Sequence, residues 1–543
     1  MKNTVYIIND ISLSVSSPIE EAYSIASNRL HRAHISTRDV SFSVYRKSVD
    51  ARKKKDVRLV YSIVASGIRE NISEKTCKEL HIARVYDSSL SFNIGTEPLP
   101  HAPVIVGAGP CGLFAALLLA KNGYAPIVLE RGGSVEERVA LVDRFHSAQI
   151  LDEETNVQFG AGGAGTFSDG KLVTRVNDPH SSFVLSTLVE MGADSDILIK
   201  AKPHVGTDVL RTVTQNLIQA IESHGGKVLY HTKFLRAIKN GDSVVAAETS
   251  AGRIPAGALI LAIGHSARDT YEALISDGFA LEAKPFSVGM RIEHRAEDID
   301  RAMYGDFAGH PSLGHAEYNL SHNTKIRGVY TFCMCPGGTV VAAASEVGGV
   351  VVNGMSERKR DGKNSNSAVV CSVFKEDYGG LPLKAIEFQR SIERAAFCSA
   401  GKNYSAPFCS VGDFLEKRAP SARVGRVSPT YMGGLHVTPV APESYLPEFV
   451  CAGIRDALGA FDKKIEGFAS FDALLTGAET RTSAPIRILR DPITRLALGY
   501  KNLYPGGEGA GYAGGITSAA LDGMHIAISL MERFAPILDA RVK

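Results

Sequence analysis

The sequence predicts an α/β protein built on buried parallel strands, and three observations carry that prediction. The stretch "PVIVGAGPCGLFAALLLAKNGYAPIVLER" (103–131) runs from an apolar segment through a glycine turn and an apolar helix into a second apolar segment, the pattern of a βαβ unit. A block of alternating polar and apolar residues precedes it, over 1–95. A short apolar run, a glycine cluster and a helix return at the far end, "LYPGGEGAGYAGGITSAALDG" (503–523). The 543 residues leave room for several units, at ~100–200 residues per domain. The expected division is a small α+β, ferredoxin-like domain over 1–95, a Rossmann-like unit over 101–275 completed by 495–543, and an inserted substrate domain over 276–494.

Composition narrows the class. The chain is 44% hydrophobic and 22% charged, and its 52 glycines are clustered, which points to tight backbone sites. A net charge of +2 gives no global reason to bind nucleic acid. The eight cysteines form no CxxC pair, which argues against a disulfide scaffold and a zinc ribbon, so no metal site is expected. The N-terminal apolar run is too short for a signal peptide, and nothing approaches the ~18 apolar residues of a membrane span. The expectation is a cytoplasmic protein that engages no membrane; the sequence sets no oligomeric state.

The elements follow in order. "NTVYIIND" (3–10) reads as a strand and "SPIEEAYSIASNRL" (17–30) as a helix with proline at its first position after Ser17. "DVSFSVYRKSV" (39–49) and "DVRLVYSIVAS" (56–66) are alternating strands. The basic turn between them (46–58) is either a solvated hairpin tip or a surface that meets acidic partners or RNA. "TEPLPHAP" (96–103) marks a boundary. Past the βαβ unit, 206–226 reads as a helix with Thr207 as N-cap and Gly225 near its end. The runs 227–240, 243–252 and 258–264 read as strands.

Gly107-x-Gly109-x-x-Gly112 sits between the first strand and its helix, with Pro110 and Cys111 inside the motif. The first glycine permits the turn, the second lets a pyrophosphate approach the backbone, and the third lets helix and strand pack closely. The phosphates then meet the helix N-terminus. Glu130, followed by Arg131, ends the second strand 18 residues after Gly112, where a carboxylate can bind both ribose hydroxyls of an adenosine. This predicts a dinucleotide site. Glu508 and Gly509, before a helix that begins near Gly515 and Ile516, add a carboxylate for a ribityl hydroxyl and a helix N-terminus for a reduced flavin, which favours FAD.

These motifs resemble FAD-binding flavoproteins of the glutathione-reductase type. More narrowly, the chain resembles the bacterial FAD-dependent (NAD(FAD)-utilising) dehydrogenases. That resemblance rests also on "NVQFGAGGAGTFSDGKL" (156–172), "KPHVGTD" (202–208), "LAIGHSARDTY" (261–271), "RGVYTFCMCPGG" (327–338), "EVGGVVVNGMS" (346–356) and "TGAETRTSAPIRI" (476–488). Gly165, four residues, Gly170 and Lys171 match a nucleotide hydrolase's phosphate loop until Leu172, which cannot ligate Mg²⁺, and the loop leads into the extended-looking "LVTRV" (172–176), not the helix that a phosphate loop requires. The resemblance makes this a flavin-contacting loop, with Gly165, Thr166, Ser168, Asp169 and Gly170 near the cofactor. Lys171 is either a group beside the flavin or an ion-pair partner. The resemblance also implies adenine contact at Phe234 and pyrophosphate packing at Gly264.

The remaining chemistry is open. His265 is a proton donor or a capping residue. No second GxGxxG and no CxxxxC pair are present, so NADH or NADPH, if used, is a transient reductant in the substrate cleft. Cys333 and Cys335, at i and i+2 of a strand, face one side at a separation that usually strains a direct disulfide, and are a redox thiol near the flavin, half a metal site or buried packing. Arg291, Glu293 and His294, expected after a strand, could clamp a carboxylate and shuttle protons, or pair ionically at the surface. The function expected is hydride transfer through FAD between a small organic substrate and a redox partner. The alternatives are a flavin-dependent RNA-modifying protein docking through the basic turn, and a flavoprotein without turnover.

Overall fold

Five parallel strands run in the order Leu503–Pro505, Ala258–Leu261, Pro103–Val106, Ile127–Leu129 and Lys227–Leu229 in the computed structural model, which describes residues 4–85, 90–174, 176–324 and 327–537. Ile105 lies opposite Val128 on one side and Ile260 on the other. The end of the chain therefore supplies an edge strand to a sheet begun near residue 103. Helix Pro110–Lys121 has ten buried residues and is apolar all round because it is enclosed between this sheet and helix Ile516–Met531. Close approach at two glycines fixes that stack. A Cβ on Gly112 would stand 1.9 Å from the Gly107 carbonyl, and one on Gly523 would stand 2.0 Å from the Cys111 carbonyl.

Three expected details move. Helix Thr207–Ser223 is capped by Gly206, with φ 90°, and Thr207 is its first helical residue. The Thr207 hydroxyl instead donates to the Thr166 carbonyl at 2.6 Å. Pro18 likewise precedes helix Ile19–Arg32 as its cap. The run 227–240 is two strands, because the chain turns at 230–233 and Phe234–Asn240 pairs antiparallel with Ser243–Thr249 in a separate three-stranded sheet. Within "LVTRV" (172–176), Arg175 lies outside the described residues, and the others form no strand.

A seven-stranded sheet follows the order Ser321–Asn323, Gly328–Cys335, Asn364–Val373, Phe286–Arg295, Leu474–Glu479, Ala406–Ser410 and Val437–Pro439. Phe286–Arg295 is central and pairs along its whole length with Asn364–Val373. Arg291, Glu293 and His294 are inside this strand and buried, so the expected surface pairing does not occur. Strand Gly328–Cys335 carries a bulge between Phe332 and Cys335, where Cys333 adopts φ 44°. The bulge breaks strict alternation, so the expected shared face of the two cysteines does not follow from strand geometry.

The first sheet of the chain is antiparallel, in the order Ser41–Asp50, Arg58–Ile68, Thr4–Ser14 and Ile82–Arg84. Its basic turn is partly neutralised from within, since Arg52 pairs with Asp50 at 2.5 Å and Arg58 with Asp56 at 3.0 Å. Among the described residues no helix is long and apolar enough to cross a membrane.

Candidate FAD site

A cavity of about 310 Å³ opens where the parallel sheet meets the seven-stranded sheet. One flank is the glycine turn, with Gly107, Gly109, Pro110 and Cys111, and with Glu130 and Arg131 at the end of the next strand. Phe234 closes this side, and Gly264 and His265 follow strand Ala258–Leu261 into the wall. Across from the turn runs the glycine-rich loop, with Gly165, Ser168, Asp169, Gly170 and Lys171 on the cavity. Glu508, Gly515 and Ile516 line it from the C-terminal segment, and Cys333, Asn353 and Glu479 reach it from the second sheet and its neighbour.

Five expected site residues stand behind the wall. Gly112 packs helix on turn, as above, and Gly509 packs against Gly264, whose backbone would lie 2.6 Å from an added Cβ. Thr166 turns away, its hydroxyl donating to the Ala161 carbonyl at 3.3 Å. Cys335 is fully buried. Arg291 is also fully buried and donates to the Cys333 carbonyl at 2.7 Å, so it supports the wall and does not clamp a carboxylate in the cavity.

Glu130 is held by backbone N–H groups on both carboxylate oxygens. One carboxylate oxygen accepts from the Ala108 N–H at 2.9 Å, and the other from the Gly132 and Gly160 N–H groups at 3.0 Å each. It thereby ties the glycine turn to the loop opposite. Arg131 spans Asp269, at 2.9 and 3.0 Å, and Glu154, and lies 4.2 Å over the Phe159 ring.

The loop owes its course to a residue the sequence reading missed. Arg138, on helix Val135–Ala148, is completely buried. It donates to the carbonyls of Asn156, Val157, Ala161 and Gly163, each at 2.8 Å. Burial pulls its pKa down to about 9, so it remains charged at neutral pH. The available signal was an arginine among the apolar positions of an otherwise amphipathic helix. The short 3-10 turn Gly163–Phe167 that results brings Gly163 against Gly109. No helix follows it, as expected from the sequence.

The charges on the loop are paired. Asp169 is buried, which opposes ionisation, yet Lys171 at 2.9 Å and Arg360 at 2.6 and 2.9 Å hold its carboxyl well below the usual range. Lys171 also donates to the Met334 carbonyl, so it is an ion-pair partner whose side chain also borders the cavity. His265 is pushed down to about 3 by burial and then by Arg481 and Arg268, so at neutral pH it is an uncharged imidazole that shares a 2.8 Å hydrogen bond with Ser266.

Two carboxyls move the other way. Burial raises Glu479 to about 7, against the pull of Arg291, and raises Glu508 to about 7, against that of Lys284. No hydrogen-bond donor among the described residues reaches the Glu508 carboxyl, although the Gly511 N–H donates to its backbone carbonyl at 2.9 Å. The residues present fit an FAD. Added Cβ atoms at Gly264, Gly514 and Gly515 would meet nothing within 4 Å, the helices beginning at Pro110 and Ile516 both direct free N–H groups toward the cavity, and Glu508 awaits a donor.

Comparison with known proteins agrees on the cofactor. Residues 285–482 match the family model described as FAD-dependent protein, C-terminal domain-like. A protein of Clostridium beijerinckii described as uncharacterized is 43% identical over 540 residues, covering 97% of this chain and 98% of its own. Among solved structures, glycine oxidase from Geobacillus kaustophilus is similar at 12% identity and TM-score 0.32, over 81% of this chain and 97% of that one. L-amino acid deaminase from Proteus vulgaris is similar at 13% identity and TM-score 0.33, over 83% and 97%. Likeness at those scores carries nothing about substrate. With its near full-length match to the Clostridium protein and the matching C-terminal model, the chain belongs to a family of FAD-dependent proteins.

Proposed function

We propose that this FAD-dependent oxidoreductase transfers a hydride between a small organic substrate and its FAD, with NADH or NADPH as a transient second partner in the same cleft. The observation that supports the reading most is the make-up of the cavity. Dinucleotide-holding elements form one part of it, and a second sheet closes the rest with Cys333 and Glu479.

In this reading the glycine turn and the start of helix Pro110–Lys121 hold the pyrophosphate, while Glu130, Arg131 and Phe234 hold the adenosine. Ser168, Lys171, Glu508 and Ile516 hold the flavin. Residues 101–275 and 495–543 then form a Rossmann-like FAD unit, 276–494 an inserted substrate unit and 1–95 a small ferredoxin-like domain. When bound, FAD supplies a two-electron acceptor for a hydride. The chain supplies the proton inventory. A carboxyl that titrates near neutrality at Glu479 can hold or release a proton beside the substrate. Asn353 accepts from Arg291 at 3.3 Å and keeps its amide N–H groups for a ligand. Phe332 and Val173 present apolar faces to the cavity and limit water there.

The test is a visible spectrum of the purified protein, repeated anaerobically with NADH and with NADPH. Flavin absorption that bleaches with one of them supports the reading. Flavin absorption unmoved by either removes the pyridine nucleotide from it, and a protein that cannot be reconstituted with FAD ends it.

A further inference from the structure

We propose that Cys333 and Cys335 are a peroxide-responsive thiol pair, in which the Cys333 thiolate takes an oxygen from a hydroperoxide and Cys335 resolves the product as an intramolecular disulfide. Three features of the bulge lead there. Cys333 lines the cavity with φ 44°, a conformation that non-glycine residues adopt rarely and at some cost. It is held there from behind, by Arg291 on its own carbonyl at 2.7 Å and by Lys171 on that of Met334. Finally, Cys335 donates to the Cys333 carbonyl at 3.3 Å, which sets its sulfur against the residue it would have to reach. The bulge thus turns the Cys335 sulfur back onto the Cys333 backbone, an approach that a regular i, i+2 spacing does not give.

The surroundings suit a thiolate. Arg291 is fully buried, and its Nε has no hydrogen-bond partner among the described residues. Its nearest carboxylate oxygen, on Glu479, stands 3.7 Å away and is likewise unpartnered. Arg291 is thus paired with Glu479 only loosely, without a hydrogen bond, and its charge also acts on Cys333. The Cys335 hydrogen bond, and then Arg291 and Lys171, hold the Cys333 thiol below the ordinary range despite burial, while Cys335 is pushed up and stays protonated. A low-pKa, accessible thiol next to a resolving cysteine is the usual form of a peroxide-sensitive site.

The chemistry balances. The Cys333 sulfur attacks one peroxide oxygen, the O–O bond breaks, and the other oxygen leaves as water or an alcohol after taking a proton from solvent. Sulfur is oxidised by two electrons to a sulfenic acid. The Cys335 sulfur then displaces the hydroxyl, which leaves as water with the Cys335 proton, and the S–S bond forms. This step needs a hydroperoxide and no electron transfer through FAD, so its fate is separate from that of the hydride reading.

The holoprotein carries its own control, because Cys398 is exposed while Cys333 is only half-buried. With one equivalent of hydrogen peroxide, peptide mapping should find a disulfide joining Cys333 to Cys335, with Cys398 still reduced. In Cys335→Ala, dimedone should instead label Cys333 as its sulfenic acid. At mildly acidic pH, iodoacetamide should alkylate Cys333 of the unaltered chain about tenfold faster than Cys398. Oxidation of Cys398 ahead of Cys333 in the unaltered chain would overturn the proposal, as would a Cys333 sulfenic acid that persists beside an intact Cys335 thiol. Both readings come from wild-type protein and do not depend on a variant folding.

Discussion

The guanidinium of Arg138 and the carbonyl of Gly163 are joined by a 2.8 Å hydrogen bond, and through it a helix outside the cavity sets the loop that faces the glycine turn. The same guanidinium satisfies three further loop carbonyls at that distance. A buried cation holding carbonyls is costly to truncate, because the carbonyls are left without donors.

Arg138→Lys keeps the charge but loses the fork that reaches several carbonyls at once. The expected result is a loss of about 3 kcal/mol in stability, read from denaturant unfolding of the FAD-free protein. FAD should also dissociate faster, as followed by the recovery of free-flavin fluorescence.

Gly112→Ala and Gly515→Ala separate close packing from open space. At Gly112 the new methyl would stand 1.9 Å from a backbone carbonyl, whereas at Gly515 it would meet nothing within 4 Å. The first should purify with little FAD and the second should form an intact fold. Equal flavin-to-protein absorbance ratios in the first variant and in wild type would contradict this account of the turn.

The Glu508 carboxyl has no donor among the described residues. Glu508→Leu removes a buried carboxyl and should raise the stability of the FAD-free protein by about 1–2 kcal/mol. The same change should weaken FAD binding by about tenfold, measured by titration of the FAD-free protein. Opposite signs in the two measurements distinguish a ligand-binding carboxyl from a structural one.

Glu479 makes stability pH-dependent in a defined direction. Its carboxyl is raised by burial from 4.5 to about 7, so between those values the folded state binds more proton than the unfolded chain. Its contribution is fully present below about 4.5 and is lost as pH rises through about 7. Glu479→Gln should abolish that loss. The FAD-free variant should gain on wild type by a few kcal/mol between mildly acid and mildly alkaline pH, at ~1.4 kcal/mol per pKa unit, as measured by denaturant unfolding across that range.

The FAD motif was legible because its requirements are local. Gly107, Gly109 and Gly112 answer to one turn, and Glu130 to the end of the next strand, so spacing along the chain is enough to read them. The βαβ stretch was legible for the same reason, since enclosure on all sides leaves continuous apolar runs. Helix caps were read one residue off at Pro18 and Gly206, where short-range preferences compete with the path of the chain.

What faces the cavity was decided only by tertiary structure. Arg291 looked like a substrate clamp and proves to be a buried prop for Cys333, 42 positions further along the chain. Arg138 drew no reading from the sequence and holds the loop, because only folding brings four carbonyls within reach of one guanidinium. The sequence by itself determined the parallel α/β core and the dinucleotide turn, whose constraints are steric and lie within a few residues. The pairing of Lys171, the raised carboxyls of Glu479 and Glu508, and the bulge that carries Cys333 depend on burial and on contacts from distant segments, which no local pattern encodes.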